Sequence, residues 1–275
     1  VRSAEGRNIS KNDRGVALLI ALLVTALLMA LIVEFAYGTR VSLRAAVNFR
    51  DSQRAYYLAR SGVNFAGKVL AENLKNLKPQ ANLEQREWQV VPIVSEGDTE
   101  LRVRWEDEAG KINIAYVGTG QPSLVRLEKL FGLPSRGVDL QVLDRLREKK
   151  TVRLISELHQ VMSDEEFRKI SDAVSVYAPA QVDINTASAD VLQSLGLSAS
   201  VVSLIIEKRG RDPFDSREKI NAFPGMDPNT AGMLDVTSNV FTVHSHATVG
   251  GYTKQAEAVI TRNAGGFNIL YWKIL

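Results

Sequence analysis

Residues 16–33 read VALLIALLVTALLMALIV, an apolar run whose one polar member is Thr25. As a helix rising 1.5 Å per residue, the run spans roughly 27 Å, close to the hydrocarbon thickness of a bilayer. A helix on the surface of a soluble domain keeps a polar face, whereas this one is apolar all round. The reading is a membrane span, anchored by Val16, Leu18, Leu19, Leu22, Leu27, Leu31 and Val33. A cleaved secretory signal competes with it, because Ala36-Tyr37-Gly38 is a small-x-small site just past the run. Against that stand the length of the run and the helical pattern that continues beyond it.

No proline occurs before Pro79. Within this interval Phe49, Tyr56, Val63 and Leu70 recur every seventh residue, and Ala45, Ser52, Ala59 and Ala66 fill the other seam position. Arg50, Asp51, Arg54, Arg60 and Lys68 flank this narrow stripe. One helix from Val16 to about Asn76 is expected, on the order of 90 Å long, with its last third packed on a globular domain. Gly62 and Gly67 weaken it by about 1 kcal/mol each relative to alanine. Arg2, Arg7, Lys11 and Arg14 precede the span and Arg40, Arg44, Arg50 and Arg54 follow it. The positive charges tie, so they leave its orientation open.

With 275 residues and 45% apolar content, the chain can build one or two domains beyond the span. A net charge of +3 is no nucleic-acid signature, and the cluster Arg145, Arg147, Lys149 and Lys150 reads as a solvated helix face. Cysteine is absent, which excludes disulfides, thiolate catalysis and cysteine zinc sites. Three histidines leave little material for a metalloenzyme or a histidine-based triad. There is no nucleophile elbow, P-loop or G-x-G-x-x-G, and no enzyme is inferred.

Alternation predicts strands over 87–94 and 99–105, joined at Glu96-Gly97-Asp98, and a short third strand over 112–116. Near the end, Phe241, Val243 and Ser245 alternate with Thr242, His244 and His246. Val249-Gly250-Gly251-Tyr252 is a hairpin turn, 254–262 returns as a strand, and 267–274 is the last strand. The middle is helical: 123–131, 139–149, 155–160, 164–177, 189–195, 199–208 and 228–236. Ser163-x-x-Glu166 is a capping box, and Ser188 caps another helix.

Three constellations bear on chemistry. Asp183-Ile184-Asn185-Thr186-Ala187, followed by Leu192, Leu195, Gly196, Leu197, Val202, Ile205, Ile206 and Arg209, resembles the helix-hairpin-helix family. In that family a glycine hairpin aims backbone N–H groups at a DNA phosphate. The hairpin Ser194-Leu195-Gly196-Leu197-Ser198 lacks the proline and one glycine, and Phe223-Pro224-Gly225-Met226-Asp227 puts an acid where a phosphate would sit. A structural helix pair is the expectation, with no nucleic acid bound. Glu106, Asp107 and Glu108 supply oxygens of the kind calcium takes, without an EF-hand loop around them, so a solvated turn is the plainer reading. His244 and His246 share a strand face without carboxylate company, as a surface face would.

Asp13-Arg14-Gly15-Val16-Ala17-Leu18-Leu19 resembles the leader of type IV prepilin-type proteins. The resemblance implies peptidase cleavage between Gly15 and Val16, and usually N-methylation of Val16. Ordinary pilins and pseudopilins carry glutamate at the fifth mature position; here it is Ile20. That departure is the habit of the K-type minor pseudopilin of type II secretion systems, the general secretion pathway protein K family. Val33-Glu34-Phe35-Ala36-Tyr37, Arg54-Ala55-Tyr56-Tyr57-Leu58-Ala59-Arg60-Ser61-Gly62, Trp105 to Asn113 and Asp183 to Ser188 also resemble that family's blocks.

The fold expected is α+β: a long N-terminal transmembrane helix on an antiparallel pseudopilin sheet, with an all-helical (SAM-like or helix-hairpin-helix-like) subdomain inserted between strands. The divisions expected are 1–15 leader, 16–33 span, 34–78 helix continuation, 79–116 first part of the sheet, 117–239 helical insertion and 240–275 last strands. The resemblance implies a subunit that starts or caps a pseudopilus tip and requires no cofactor. Its implied partners are the I-type, J-type and major pseudopilins and the prepilin peptidase, in the inner membrane with the C-terminal domain periplasmic. The competing readings are a membrane-anchored DNA-uptake receptor and a minor pilin of a type IV pilus.

Overall fold

The computed structural model describes residues 11–75, 85–92, 98–263 and 265–275. Most of the expected leader, the helix end near Asn76 and the Glu96-Gly97 step of the first hairpin lie outside the described residues. The chain divides into two units, Val1–Arg54 and Ala55–Leu275. Helix α1, Lys11–Lys75, contributes to both.

In the first unit the apolar run is exposed along its whole length. Thr25 donates its hydroxyl to Ala21 O and Leu22 O at 2.9 Å, so the run's polar side chain is satisfied within the helix. Phe49 was expected on the buried stripe and is instead 68% exposed, in this first unit.

In the second unit the stripe is buried: Ala59, Val63, Ala66 and Leu70 pack against Leu101, Val103, Phe241, Val243, Ala258 and Ile260. Tyr56 is half-buried, and Ala55 beside it is fully buried. The two glycines turn out to permit close approach. A Cβ on Gly62 would collide with Ser245 Oγ and lie 2.9 Å from Leu101 Cδ1, and one on Gly67 would lie 2.7 Å from the Phe267 ring.

The partner of this helix face is a five-stranded antiparallel sheet in the order β1-β2-β7-β8-β9. Its strands are β1 (Gln85–Val90), β2 (Thr99–Asp107), β7 (Val240–Val249), β8 (Tyr252–Asn263) and β9 (Gly266–Ile274). Leu101, Val103 and Trp105 pair with Ala247, Ser245 and Val243, which sets one apolar face toward α1. Gly250 and Gly251, at φ +56° and +84°, make the tight β7–β8 turn that two positive-φ residues allow.

The inserted region runs between β2 and β7 and has its own core, built around Leu127, Leu130, Phe131, Leu146, Ile184 and Phe214. Its helices are α2 (Pro122–Phe131), α3 (Gln141–Lys149), α4 (Asp164–Ile170), α5 (Ala189–Ser194), α6 (Ala199–Arg211), α7 (Arg217–Asn221) and α8 (Pro228–Gly232), with a 3-10 turn at Ile155–Gln160. The Ser163–Glu166 capping box forms, and Ser188 caps α5 through Val191 N.

Three expectations need correction. The third strand is only Ile112–Asn113 (β3); it pairs parallel with Val174–Ser175 (β4), and Ile112 joins the helical core, not the main sheet. The helix expected over 164–177 stops at Ile170 because β4 follows. The one expected over 228–236 stops at Gly232, where Leu234–Asp235 (β6) pairs parallel with Val182–Asp183 (β5). Two-residue bridges are too short to carry a periodicity. Helix α7 was not anticipated either; five residues give less than two turns of pattern.

Candidate functional site

The first feature of interest is the start of α1. Gly15 and Val16 lie inside the helix, and Ile20, one turn on, is 59% exposed with a hydrocarbon side chain where a carboxylate was the alternative. The anchor residues Leu18, Leu19, Leu22, Leu27, Leu31 and Val33 are all exposed, in a helix long and apolar enough to cross a membrane.

The second feature is the pair of hairpins. Gly196, at φ +105°, turns α5 into α6, and Gly225, at φ +81°, turns α7 into α8. A Cβ on Gly225 would sit 2.6 Å from Val201 Cγ2, so the second hairpin is wedged against the first turn of α6. Asp227 accepts from the backbone N–H groups of Asn229 and Thr230 at 3.0 Å each, and the Thr230 hydroxyl together with these N–H groups holds its carboxyl below the usual range. The chain's own carboxylate occupies the α8 N-terminus that an anion would need. At α6, Ser198 Oγ caps Val201 N.

The acidic turn does not converge on one point. Asp107 is buried, accepting from Ala109 N at 2.8 Å, from Thr186 Oγ1 at 2.7 Å and from Ser238 Oγ. Glu108 binds Lys111 Nζ at 2.6 Å and Thr242 Oγ1 at 2.7 Å, while Glu106 faces Arg104 at 3.8 Å. Among the described residues no three His, Asp or Glu side chains form a metal-holding group. His244 and His246 share the outer sheet face as expected, and burial together with Arg104 lowers the His244 pKa.

Sequence reading missed Asp183. It is 4% exposed, and burial plus the nearby Asp107 raise its pKa well above the usual carboxylate value. The spacing Asp183-x-Asn185 was its one local signal, since Asn185 N donates to Asp183 Oδ1 at 2.8 Å in an Asx turn. The long-range proximity to Asp107 has no local signature.

Residues 178–234 match the helix-hairpin-helix motif family. The type II secretion system protein K of Pseudomonas aeruginosa PAO1 is 24% identical over 252 aligned residues, which cover 76% of each chain. The crystal structure of the GspK-GspI-GspJ complex from the enterotoxigenic Escherichia coli type 2 secretion system matches with a TM-score of 0.66 at 16% identity, covering 84% of this chain and 99% of that one. The chain is thus similar to type II secretion system protein K over most of its length, in sequence and in fold. The motif match falls on the α5–α8 hairpins that pack on one another.

Proposed function

We propose that this chain is a K-type minor pseudopilin that starts or caps the tip of the type II secretion pseudopilus. The observation that carries the reading is Ile20. In a pilin-type bundle the fifth-position glutamate of one subunit is expected to pair with the N-terminal amine of its neighbour. Buried in lipid or in protein, such a pair is favoured strongly, because an unmatched charge there is costly. A subunit with isoleucine at that position offers no carboxylate to a subunit above it. The bulk of the inserted helical region further supports a terminal place, since it would obstruct stacking.

The reading entails cleavage between Gly15 and Val16 by the prepilin peptidase, N-methylation of Val16 and a single inner-membrane span with a periplasmic C-terminal domain. It places the I-type and J-type minor pseudopilins as neighbours, in keeping with the GspK-GspI-GspJ complex of the similar protein, and the major pseudopilin beneath them. It requires no cofactor. The test is Ile20→Glu in a secreting strain: loss of tip-dependent assembly and of secretion is expected. Normal incorporation and secretion would show that the apolar residue is not required. Mass spectrometry of the mature N-terminus checks the cleavage, and an uncut chain in cells with active peptidase would sink the reading.

A further inference from the structure

Where the outer face of the sheet meets the inserted helices, within the second unit, lies a cleft of about 560 Å³. That is the size class of sites that take a ligand side chain or a small molecule. Register lays its floor. Arg104, His244, Glu257 and Lys273 stand side by side across β2, β7, β8 and β9, with Tyr271 opposite Val259 in the next outward row. The wall comes from the insertion: Leu154, Ile155, Phe167, Val176 and Tyr177.

Most charges in this cleft are already matched. Lys111 is held by Glu108, Arg104 faces Glu106, and Asp172 is taken by Arg136 at 2.5 Å. Glu257 is different: half-buried on the floor, it forms no hydrogen bond or ion pair among the described residues. Lys273, its cross-strand neighbour, is exposed at the rim. The rings of Tyr177 and Tyr271 stand 6.2 Å apart near this carboxylate, and their hydroxyls likewise make no hydrogen bond with described residues.

We propose that this cleft is a docking site for a basic side chain, lysine or arginine, carried on an extended segment of a partner protein. The apolar wall matches the aliphatic stem of such a side chain, the tyrosine pair offers ring faces and oxygen acceptors to its cationic head, and Glu257 supplies the unmatched charge. An acidic segment would bring a like charge against Glu257, and an apolar one would leave the carboxylate without water or partner. The inference does not depend on the tip assignment, because it uses the sheet and insertion alone.

The test uses the full-length chain in detergent micelles, labelled with ¹⁵N, and two capped tripeptides: acetyl-Val-Arg-Val-amide and acetyl-Val-Glu-Val-amide. The arginine peptide should give saturable amide shifts centred on Tyr177, His244 and Glu257, and the glutamate peptide should give none there. Glu257→Gln should weaken the arginine peptide by about fivefold, and Tyr271→Phe by about twofold, with amide positions outside the cleft unchanged in each variant. Absence of saturable shifts, equal binding of the two peptides, or unchanged affinity in both variants would overturn the proposal.

Discussion

The Asp107 carboxylate accepts a 2.7 Å hydrogen bond from Thr186 Oγ1, tying the last residue of β2 to the segment that opens the helix-hairpin-helix region. It also accepts from Ser238 Oγ, two residues before β7 begins. Ser238 O in turn accepts from Arg262 Nε and Nη2 at 3.0 and 2.7 Å, and Arg262 Nη1 reaches Leu70 O at 3.2 Å. One buried carboxylate thus holds both ends of the insertion, and a buried arginine carries the same web to α1.

Asp107→Ala should destabilise the second unit by about 3 kcal/mol. The substitution strands the hydroxyls of Thr186 and Ser238 and the Ala109 N–H, and it removes the negative charge nearest the buried Arg262. Asp107→Asn keeps one acceptor oxygen and should cost about half as much. Denaturant unfolding of the full chain in micelles, followed by tryptophan fluorescence, measures both; an unchanged midpoint in Asp107→Ala would remove this web from the account.

Asp183 gives a pH dependence of definite sign. Burial and Asp107 raise its folded-state pKa above the unfolded value of about 3.9. A group raised on folding contributes stability below its unfolded pKa, and loses that contribution as pH rises through the folded pKa. The wild-type chain should therefore lose stability on going from mildly acid to alkaline pH. Asp183→Asn, which cannot ionise but still accepts from Asn185 N, should flatten that slope and be the more stable protein at pH 8. Parallel slopes in thermal melts of the two proteins across pH 5 to 9 would exclude Asp183 as the source.

How much of this was legible follows from the range of each signal. Val16 to Val33 announced itself, because an apolar run is a local property. So did β7 and β8, whose ten and twelve residues give the alternation room to repeat. The capping box at Ser163 was readable for the same reason. β3 to β6 were missed or mistaken, since a two-residue bridge owes its existence to a partner far along the chain: Ile112 to Val174, and Val182 to Leu234. The cleft and the Asp107–Asp183 proximity belong to this second kind. Phe49 failed differently: its spacing fits the stripe, but the buried stretch of the helix begins only at Asp51, and Phe49 stays exposed.

Lys150 ends α3 at φ 63° and ψ −39°, the only non-glycine with positive φ among the described residues. Thr151 N donates to Lys149 O at 2.7 Å across it, which makes a three-residue turn of the strained positive-φ kind. The lysine side chain is exposed and its backbone N–H is kept by Leu146 O, so glycine would lose little contact. Lys150→Gly should raise stability by about 1 kcal/mol, the strain relieved exceeding the added freedom of the unfolded chain. A fall in melting temperature would show that the turn carries no strain.

Gly62 sets two opposed effects against each other. By helix propensity alone, Gly62→Ala should stabilise α1 by about 1 kcal/mol. The new methyl would, however, overlap Ser245 Oγ and press on Leu101 Cδ1 at 2.9 Å and Val103 Cγ1 at 3.0 Å. Overpacking between a helix and a sheet costs about 1–3 kcal/mol, so the net expectation is a loss of about 1 kcal/mol. Ser245 Oγ is buried without a hydrogen-bond partner among the described residues, so Ser245→Ala alone should be neutral or slightly stabilising. The double variant removes the nearest obstacle to the methyl and should recover about 1 kcal/mol over the sum of the singles. Additive singles would mean that the helix can retreat from the sheet, and that the small residues at this contact do not set its distance.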